Sequence, residues 1–495
     1  MIFLVVLFVL FGLLVWWEVH GKRRHLPPGP FPLPALGNSL SLAACSRYEE
    51  KFLEWRDAYG PLYTYWLGEQ PIVAVCDADL AKRMFVDNGG DYVGRPTGAN
   101  FQRYVKENKK GGVIFAEGLF WVDQRRFAIR TLRDMGLAKH AMEERILEEI
   151  QTISENIRRD IECGVDEHDV HRHIDIGVGN VINNLIFGLR YTQDGREAEF
   201  YRVKELTGQI MACLTHPIVV IARYNDLFFS LTRRLFSGFY RPFQELFDFL
   251  EENVRERIQQ FESEKEDGRE EARDLVDAFL IEKARLERQN APNAAFYTPS
   301  QLVALAMDIW FAGQETTATT LMWAIGFLIA HPDAQRRLQE ELDRVVGRDR
   351  VVSVADRPNL PFTNAVIMEV QRTANIIAQN VFRRTVRDVE VDGRRIPKGA
   401  LYIAQISAIH YDPKVFEKPT EFRPERFLDA SGQVRKCDEL LPFSLGKRLF
   451  LFVANLFHQF EFLPGKKPPE LRKFPSPGAT ACTPFKCRLS KRSPL

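Results

Sequence analysis

Cysteine is scarce in this chain, with seven among 495 residues (Cys45, Cys76, Cys163, Cys213, Cys437, Cys482 and Cys487) and no pair at Cys-x-x-Cys spacing. That scarcity excludes a disulfide-built scaffold and a zinc knuckle, and it fits a reducing compartment. An excess of either charge is also missing: 67 Lys+Arg stand against 66 Asp+Glu, a net charge of +1. No global field therefore draws nucleic acid, which is not expected as a partner. The 31 glycines and 27 prolines show no collagen-like period, and no internal repeat is evident. What is present is a globular composition, 45% hydrophobic and 12% aromatic. The length exceeds the usual ~100–200 residues per domain but suits a large enzyme built on one core.

The N-terminal run Met1–Trp17 carries no charge, places Trp16 and Trp17 at its end, and is followed by Lys22, Arg23 and Arg24. As a helix it would be about 26 Å long, close to the ~30 Å of a bilayer's hydrocarbon layer. Basic residues after the span predict that the rest of the chain stays cytoplasmic. A cleaved signal peptide fits less well, because its basic residues come first and a small-x-small cleavage site is lacking. Residues 1–20 are thus expected to be a transmembrane anchor. Residues 21–40, basic and then Pro-rich through Leu26–Pro34, form a stiff spacer to a single domain over 41–495.

That domain reads as mainly α with small β-sheets. Pro71–Val75, between Gly68 and Asp77, has the look of a strand. From Trp121 to Gly347 apolar residues recur at helical spacing, as in Ile146–Ile157 and Phe243–Phe261. The charged stretch Glu262–Asp274 is expected to be a solvated loop. Leu302–Ala330 is apolar nearly all round and stops at His331-Pro332. With Asp308 and Glu315 inside it, the run predicts a central buried helix and not a membrane span.

This helix contains Ala312-Gly313-Gln314-Glu315-Thr316-Thr317. Glycine at mid-helix costs up to ~1 kcal/mol, and threonine hydroxyls can bond back to carbonyls and loosen the turn. The patch suits either a small-ligand groove with a proton relay or a kinked packing helix. Downstream, Glu369 and Arg372 lie three apart on one helical face and can pair. Arg426, in Phe422–Phe427, would turn that pair into a buried architectural network if it reached Glu369.

Together these motifs resemble the cytochromes P-450, the haem-thiolate monooxygenases, and most of all the membrane-anchored microsomal members of animals. The likeness spans nearly the whole chain. Ala312–Thr317 matches the oxygen-activating helix, Glu369 and Arg372 the Glu-x-x-Arg pair, and Phe422–Phe427 the segment that completes its network. Trp121-x-x-x-Arg125 matches the helix over the haem, where both side chains contact a propionate, and Arg383 sits where the family has another such contact. The resemblance implies a cytochrome P-450 fold, haem b as cofactor, and insertion of one oxygen atom from O2 into a lipophilic substrate. It assigns proton relay to Glu315 and Thr316 and room for dioxygen to Gly313, with Ala312 in the same catalytic patch. It also implies an endoplasmic-reticulum membrane location and an NADPH-dependent flavoprotein reductase as partner, facing the basic stripe Arg126, Arg130 and Arg133. Arginine is the residue suited to propionate, because its planar fork pairs with a carboxylate through two hydrogen bonds.

One motif departs from the family. The ligand loop Phe-x-x-Gly-x-Arg-x-Cys-x-Gly begins as Phe443-Ser444-Leu445-Gly446-Lys447-Arg448, then continues Leu449-Phe450-Leu451-Phe452. Arg448 keeps the place of the cofactor-binding arginine, while Phe450 occupies the position of the iron-ligating cysteine. Leu449–Phe460 resembles the later part of the following helix, so about eleven residues, roughly three helical turns, look deleted between Arg448 and Leu449. A phenyl ring offers iron no lone pair, so no metal ligand is assigned. Cys437 is expected on the surface, Cys482 and Cys487 in a terminal strand pair, and His458 behind the site, which leaves no ready substitute. Three readings follow: a variant of a competent monooxygenase that does not turn over, a non-catalytic anchored protein that binds or regulates, or an unstable splice or gene-model variant.

Overall fold

The computed structural model describes residues 21–34, 36–45, 48–96, 111–137, 140–192, 195–215, 241–264, 271–440, 447–471, 473–474 and 481–492, with a few isolated positions elsewhere. The anchor expected over 1–20 falls almost wholly outside them, as does Phe443–Gly446 of the ligand loop. Among the described residues no helix is long and apolar enough to cross a membrane.

The longer helices are α1 (Tyr48–Tyr59), α2 (Gly118–Leu132), α3 (His140–Glu162), α4 (Val170–Phe187), α5 (Glu197–Thr215), α6 (Arg241–Glu264), α7 (Leu275–Arg288), α8 (Pro299–Ala330), α9 (Pro332–Val346), α10 (Pro361–Ala374) and α11 (Lys447–Gln459). The strands are β1 (Leu62–Leu67), β2 (Gln70–Val75), β3 (Arg383–Arg384), β4 (Val389–Val391), β5 (Arg394–Ile396), β6 (Leu401–Ala404), β7 (Phe460–Pro464), β8 (Lys473–Phe474), β9 (Ala481–Cys482) and β10 (Cys487–Lys491). One sheet has the order β1-β2-β6-β3, with β2 and β6 parallel and the outer pairs antiparallel. Among the described residues there are also three two-stranded sheets, β4–β5, β7–β10 and β8–β9.

Helix α8 is the axis of the fold. Pro299 opens it, where a missing N–H costs nothing, and the Thr298 side chain caps it by accepting from the Gln301 N–H. Its apolar surface packs against α4, α6, α10, α11 and β7, so the all-round hydrophobicity is satisfied by protein. Trp310 and Trp323 on it are fully buried. The α11 residues Leu451, Phe452, Val453 and Ala454 fill the same core cluster as Trp323 and Val366.

The spacer is not a free linker. Gly29 lies so close to β1 that a Cβ there would sit 1.8 Å from the Thr64 carbonyl oxygen. The Thr64 N–H donates to Pro28 O at 2.9 Å, and Asn38 Oδ1 accepts from Trp66 N at 2.9 Å. Lys22 pairs with Glu69 at 3.0 Å. Proline removes donors that a sheet would want, so the segment is held by its carbonyls and by Asn38.

The charged stretch 262–274 differs from its expectation at both ends. Helix α6 continues to Glu264. Asp274 is fully buried, capping α7 through Asp277 N at 2.8 Å and accepting from Arg257 Nε at 2.7 Å. Arg257 Nη2 also reaches Asp277 at 2.6 Å. Burial raises the Asp274 carboxyl pKa, against the lowering effect of the helix N–H and Arg257. A sequence run rich in charge hid a long-range pair that only tertiary packing creates.

Candidate functional site

Midway along the otherwise buried α8, Ala312 is exposed and Phe311, Glu315, Thr316, Thr317 and Thr319 are partly so. Thr316 Oγ1 donates to Ala312 O and Thr320 Oγ1 to Thr316 O, both at 2.6 Å, so the hydroxyls bond back one turn while the helix runs on unbroken. Gly313 faces elsewhere: a Cβ on it would stand 2.5 Å from Ile182 Cδ1 of α4. The space the glycine leaves is taken by helix packing.

Glu315 is turned toward α4 and α5. Burial raises its carboxyl pKa, with Lys204 acting to lower it and Asp175 to raise it further. Lys204 itself pairs with the buried Asp175, and His171 Nε2 lies 3.3 Å from the same carboxylate. Gln314 Nε2 donates to Asp175 O at 2.9 Å, tying α8 to α4 at this point. An acid held toward its neutral form, beside a charged pair that leads to a half-exposed histidine, can take up and release protons.

A second feature lies where α2, the segment before it and β3 converge. Trp121 Nε1 donates to Val113 O at 3.1 Å, and the Arg125 guanidinium lies 5.5 Å from the Trp121 ring centre. Arg383 of β3 sits over Phe85 at 5.3 Å. Between them is Arg95, which the sequence did not single out. Burial first, then Arg383 and Arg125, push its pKa down to about 10, against the pull of Glu117. Arg383 is lowered by burial and by Arg125. Arg95 Nε donates to Ile114 O at 2.9 Å, and the three guanidiniums, which repel one another, have the chemistry to bind anionic oxygens such as carboxylates.

Two α8 side chains that carried no functional signal hold this wall. Asp308 accepts from Val113 N at 2.6 Å and Ile114 N at 3.0 Å, and Gln301 Oε1 accepts from Gly112 N at 2.7 Å. Of the basic stripe, Arg130 is already paired with Glu282 of α7 at 2.8 Å, while Arg126 and Arg133 remain exposed.

The structure gathers Glu369, Arg372 and Arg426 into one buried knot. Arg372 makes a two-pronged pair with Glu369, Nε to Oε2 and Nη2 to Oε1, both 2.8 Å, with both side chains fully buried. Arg426 Nε reaches Glu369 Oε1 at 3.2 Å, and Arg423 N donates to the same oxygen at 2.8 Å. Arg372 Nη1 also binds the carbonyls of His410 (3.0 Å) and Pro419 (2.8 Å), so the knot stitches α10 to the 410–426 segment.

Arg448 is not brought to the Arg95–Arg125–Arg383 cluster. Its Nη1 lies 3.7 Å from the Cβ position of Gly313, against α8. Phe450 lies inside α11 and not in a loop, with 1% exposure and the Arg357 guanidinium 5.7 Å from its ring centre. The sulfurs and imidazole near it in sequence are committed elsewhere. Cys437, expected at the surface, is half-buried against Met368, Phe416 and Phe427, and its thiol donates to Glu439 at 3.2 Å. Cys482 and Cys487 lie in strands but in two separate sheets, because β9 pairs with β8 and β10 with β7. Burial pushes both thiols up to about 12. His458 Nε2 is 2.6 Å from Gly347 O. Among the described residues, no group of three or more His, Cys, Asp or Glu side chains is placed to hold a metal ion.

A central helix with a back-bonded threonine, a cluster of three arginines and a buried Glu–Arg–Arg knot occur here in one chain. The family model Cytochrome P450 matches residues 27–481. Mouse cytochrome P450 2A5 is 33% identical over 466 residues, covering 92% of this chain and 91% of that protein. Rabbit cytochrome P450 2C5 is 32% identical over 470 residues, covering 93% and 92%. With the predominantly helical fold and small sheets, these matches establish that the chain belongs to the cytochrome P450 family, the haem monooxygenases.

Proposed function

We propose that this chain is a membrane-anchored monooxygenase relative that keeps the pocket for haem carboxylates and for a lipophilic molecule but does not turn over. Haem with a thiolate ligand supplies oxygen activation in this family, the thiolate pushing electron density toward O–O cleavage. The residues fit one end of that group and not the other. Arg95, Arg125 and Arg383 repel one another without an anion and suit its propionates. The motif alignment puts Phe450 in the cysteine's place, and the observation that supports the proposal is that this ring is buried inside α11. No step is therefore assigned to an iron centre here. Glu315 and Thr316 keep the acid and hydroxyl of a proton relay, with Ala312 facing the open space beside them.

The core filled by Leu451, Phe452 and Val453 favours a folded chain over an unstable one. Residues 1–20 anchor it in the endoplasmic-reticulum membrane with the domain on the cytoplasmic side, and the docked spacer sets its stance. Arg126 on α2 and Arg133 just after its end, both exposed, would face the NADPH-dependent reductase. Turnover with reductase, NADPH and lipophilic substrates in lipid nanodiscs tests the proposal. Binding of an apolar fluorescent probe without oxygenated product is expected; product formation contradicts it.

The arginine cluster gives its own expectation. R125Q should weaken haem binding about tenfold or more, since a charge-assisted contact to carboxylate contributes ~1.5–3 kcal/mol. The haem-free protein should melt no lower than the parent, because a repelling charge is gone. Haem titration and thermal unfolding of the haem-free protein check both halves.

A further inference from the structure

The main chain at Arg95 is held by one acid and one arginine acting together. Glu117 Oε2, just before α2, accepts from the Arg95 N–H at 3.1 Å and from Arg384 Nη2 at 2.7 Å. Arg384 Nε in turn donates to Arg95 O at 2.9 Å. The contacts close a ring: the N–H and the carbonyl of Arg95 are each bound by one member of an ion pair, and the pair itself completes the circuit. The backbone of β3 joins in at the neighbouring residue, with Arg384 N donating to Gly94 O at 2.8 Å and Gly94 N to Arg384 O at 3.1 Å. Gly94 permits that approach, since a Cβ on it would stand 2.8 Å from Arg384 O. The Glu117 side chain is 40% exposed, and a pair this open contributes little to stability. Its distinguishing feature is what it holds.

We infer that Glu117 and Arg384 are positioning residues: they fix the Arg95 main chain so that its guanidinium is held ready for a carboxylate beside Arg125 and Arg383. From the ring the Arg95 side chain leaves in one direction, its Nε donating to Ile114 O at 2.9 Å and its Nη1 reaching Phe382 O at 3.5 Å, next to Arg383. Like charges resist being gathered, and a long arginine on an untethered stretch would give up backbone and rotamer freedom each time it bound. Contacts made before the ligand arrives remove that cost from binding. Charge alone argues the opposite way. Glu117 is an acid close to a site for acids, so Coulomb repulsion makes its removal favour a carboxylate, whereas loss of the ring disfavours it. The inference rests on the reading that Arg95, Arg125 and Arg383 receive the carboxylates of haem, and it adds which residues hold one of them in place.

The test titrates ferric haem and its dimethyl ester, which lacks the carboxylate charges, into the full haem-free chain in nanodiscs, followed by quenching of tryptophan fluorescence. The parent is expected to bind the acid about tenfold tighter than the ester, or more. E117A, which opens the ring, should cut that preference to about threefold or less. E117Q, whose amide oxygen can accept both hydrogen bonds, should keep it. R384A should lower it as E117A does, although the two variants remove opposite charges. A general loosening of the fold would weaken acid and ester alike and leave their ratio unmoved. Amide hydrogen exchange on the haem-free chain gives a second readout: the peptide containing Arg95 should exchange faster in E117A and at the parent rate in E117Q. A preference unchanged or raised in E117A, or an unchanged exchange rate there, overturns the inference alone. If the parent shows no preference for the acid, the reading of the cluster as a carboxylate site fails and takes the inference with it.

Discussion

The E369A variant is expected to lose about 3–5 kcal/mol of stability, the cost of stranding a buried charge by removing its partner. Arg372 would keep its positive charge at zero exposure with two of its N–H groups, Nε and Nη2, stripped of the carboxylate that now lies 2.8 Å from each. The Arg423 N–H would lose its acceptor as well. The paired replacement E369L with R372L should cost less than the sum of the single changes, because it removes both charges together. It still leaves the carbonyls of His410 and Pro419 without their donor, so recovery to parent stability is not expected. Urea unfolding followed by tryptophan fluorescence measures both. A loss below about 1 kcal/mol for E369A would mean that water reaches the knot, as it does in surface pairs.

The second large effect concerns the missing ligand. F450C should not acquire a thiolate-ligated haem spectrum, although it restores the residue type at the matching position. The side chain at 450 lies in the hydrophobic core on α11, beside Arg357, and a sulfur there would be a buried thiol. Truncating the ring should also destabilise the chain by ~2–4 kcal/mol, through lost burial and a cavity. By contrast, inserting the corresponding segment of a relative such as mouse cytochrome P450 2A5 between Arg448 and Leu449 should restore the thiolate signature. About eleven residues, three turns of helix, would return the cysteine to a loop and move Arg448 away from Gly313. A thiolate band in F450C, or none in the insertion variant, would contradict the deletion as the cause.

Local chemistry made part of this molecule legible in advance. The run Leu302–Ala330 could be assigned because an all-round apolar helix closed by His331-Pro332 has few alternatives, and the structure extends it only to Pro299. Pro71–Val75 was readable as a strand for a similar reason, since turn residues bracket it. Long-range partnership stayed hidden. Arg257 and Asp274 looked like surface charge until α6 and α7 packed together, and Arg95 carried no motif although it stands between Arg125 and Arg383. Asp308 had served only as an argument against a membrane span, yet it pins the Val113–Ile114 backbone. Arg448 carried a motif that points to a propionate, and nothing in the sequence signalled that its guanidinium would lie against Gly313 of α8.

The central claim is that this family member lacks the iron-ligating thiolate. The carbon-monoxide difference spectrum of the reduced full-length protein, reconstituted with haem and assayed for haem content, tests it most directly. The expected result is haem bound weakly or not at all, with no red-shifted thiolate Soret band. Stoichiometric haem with that band would contradict the account.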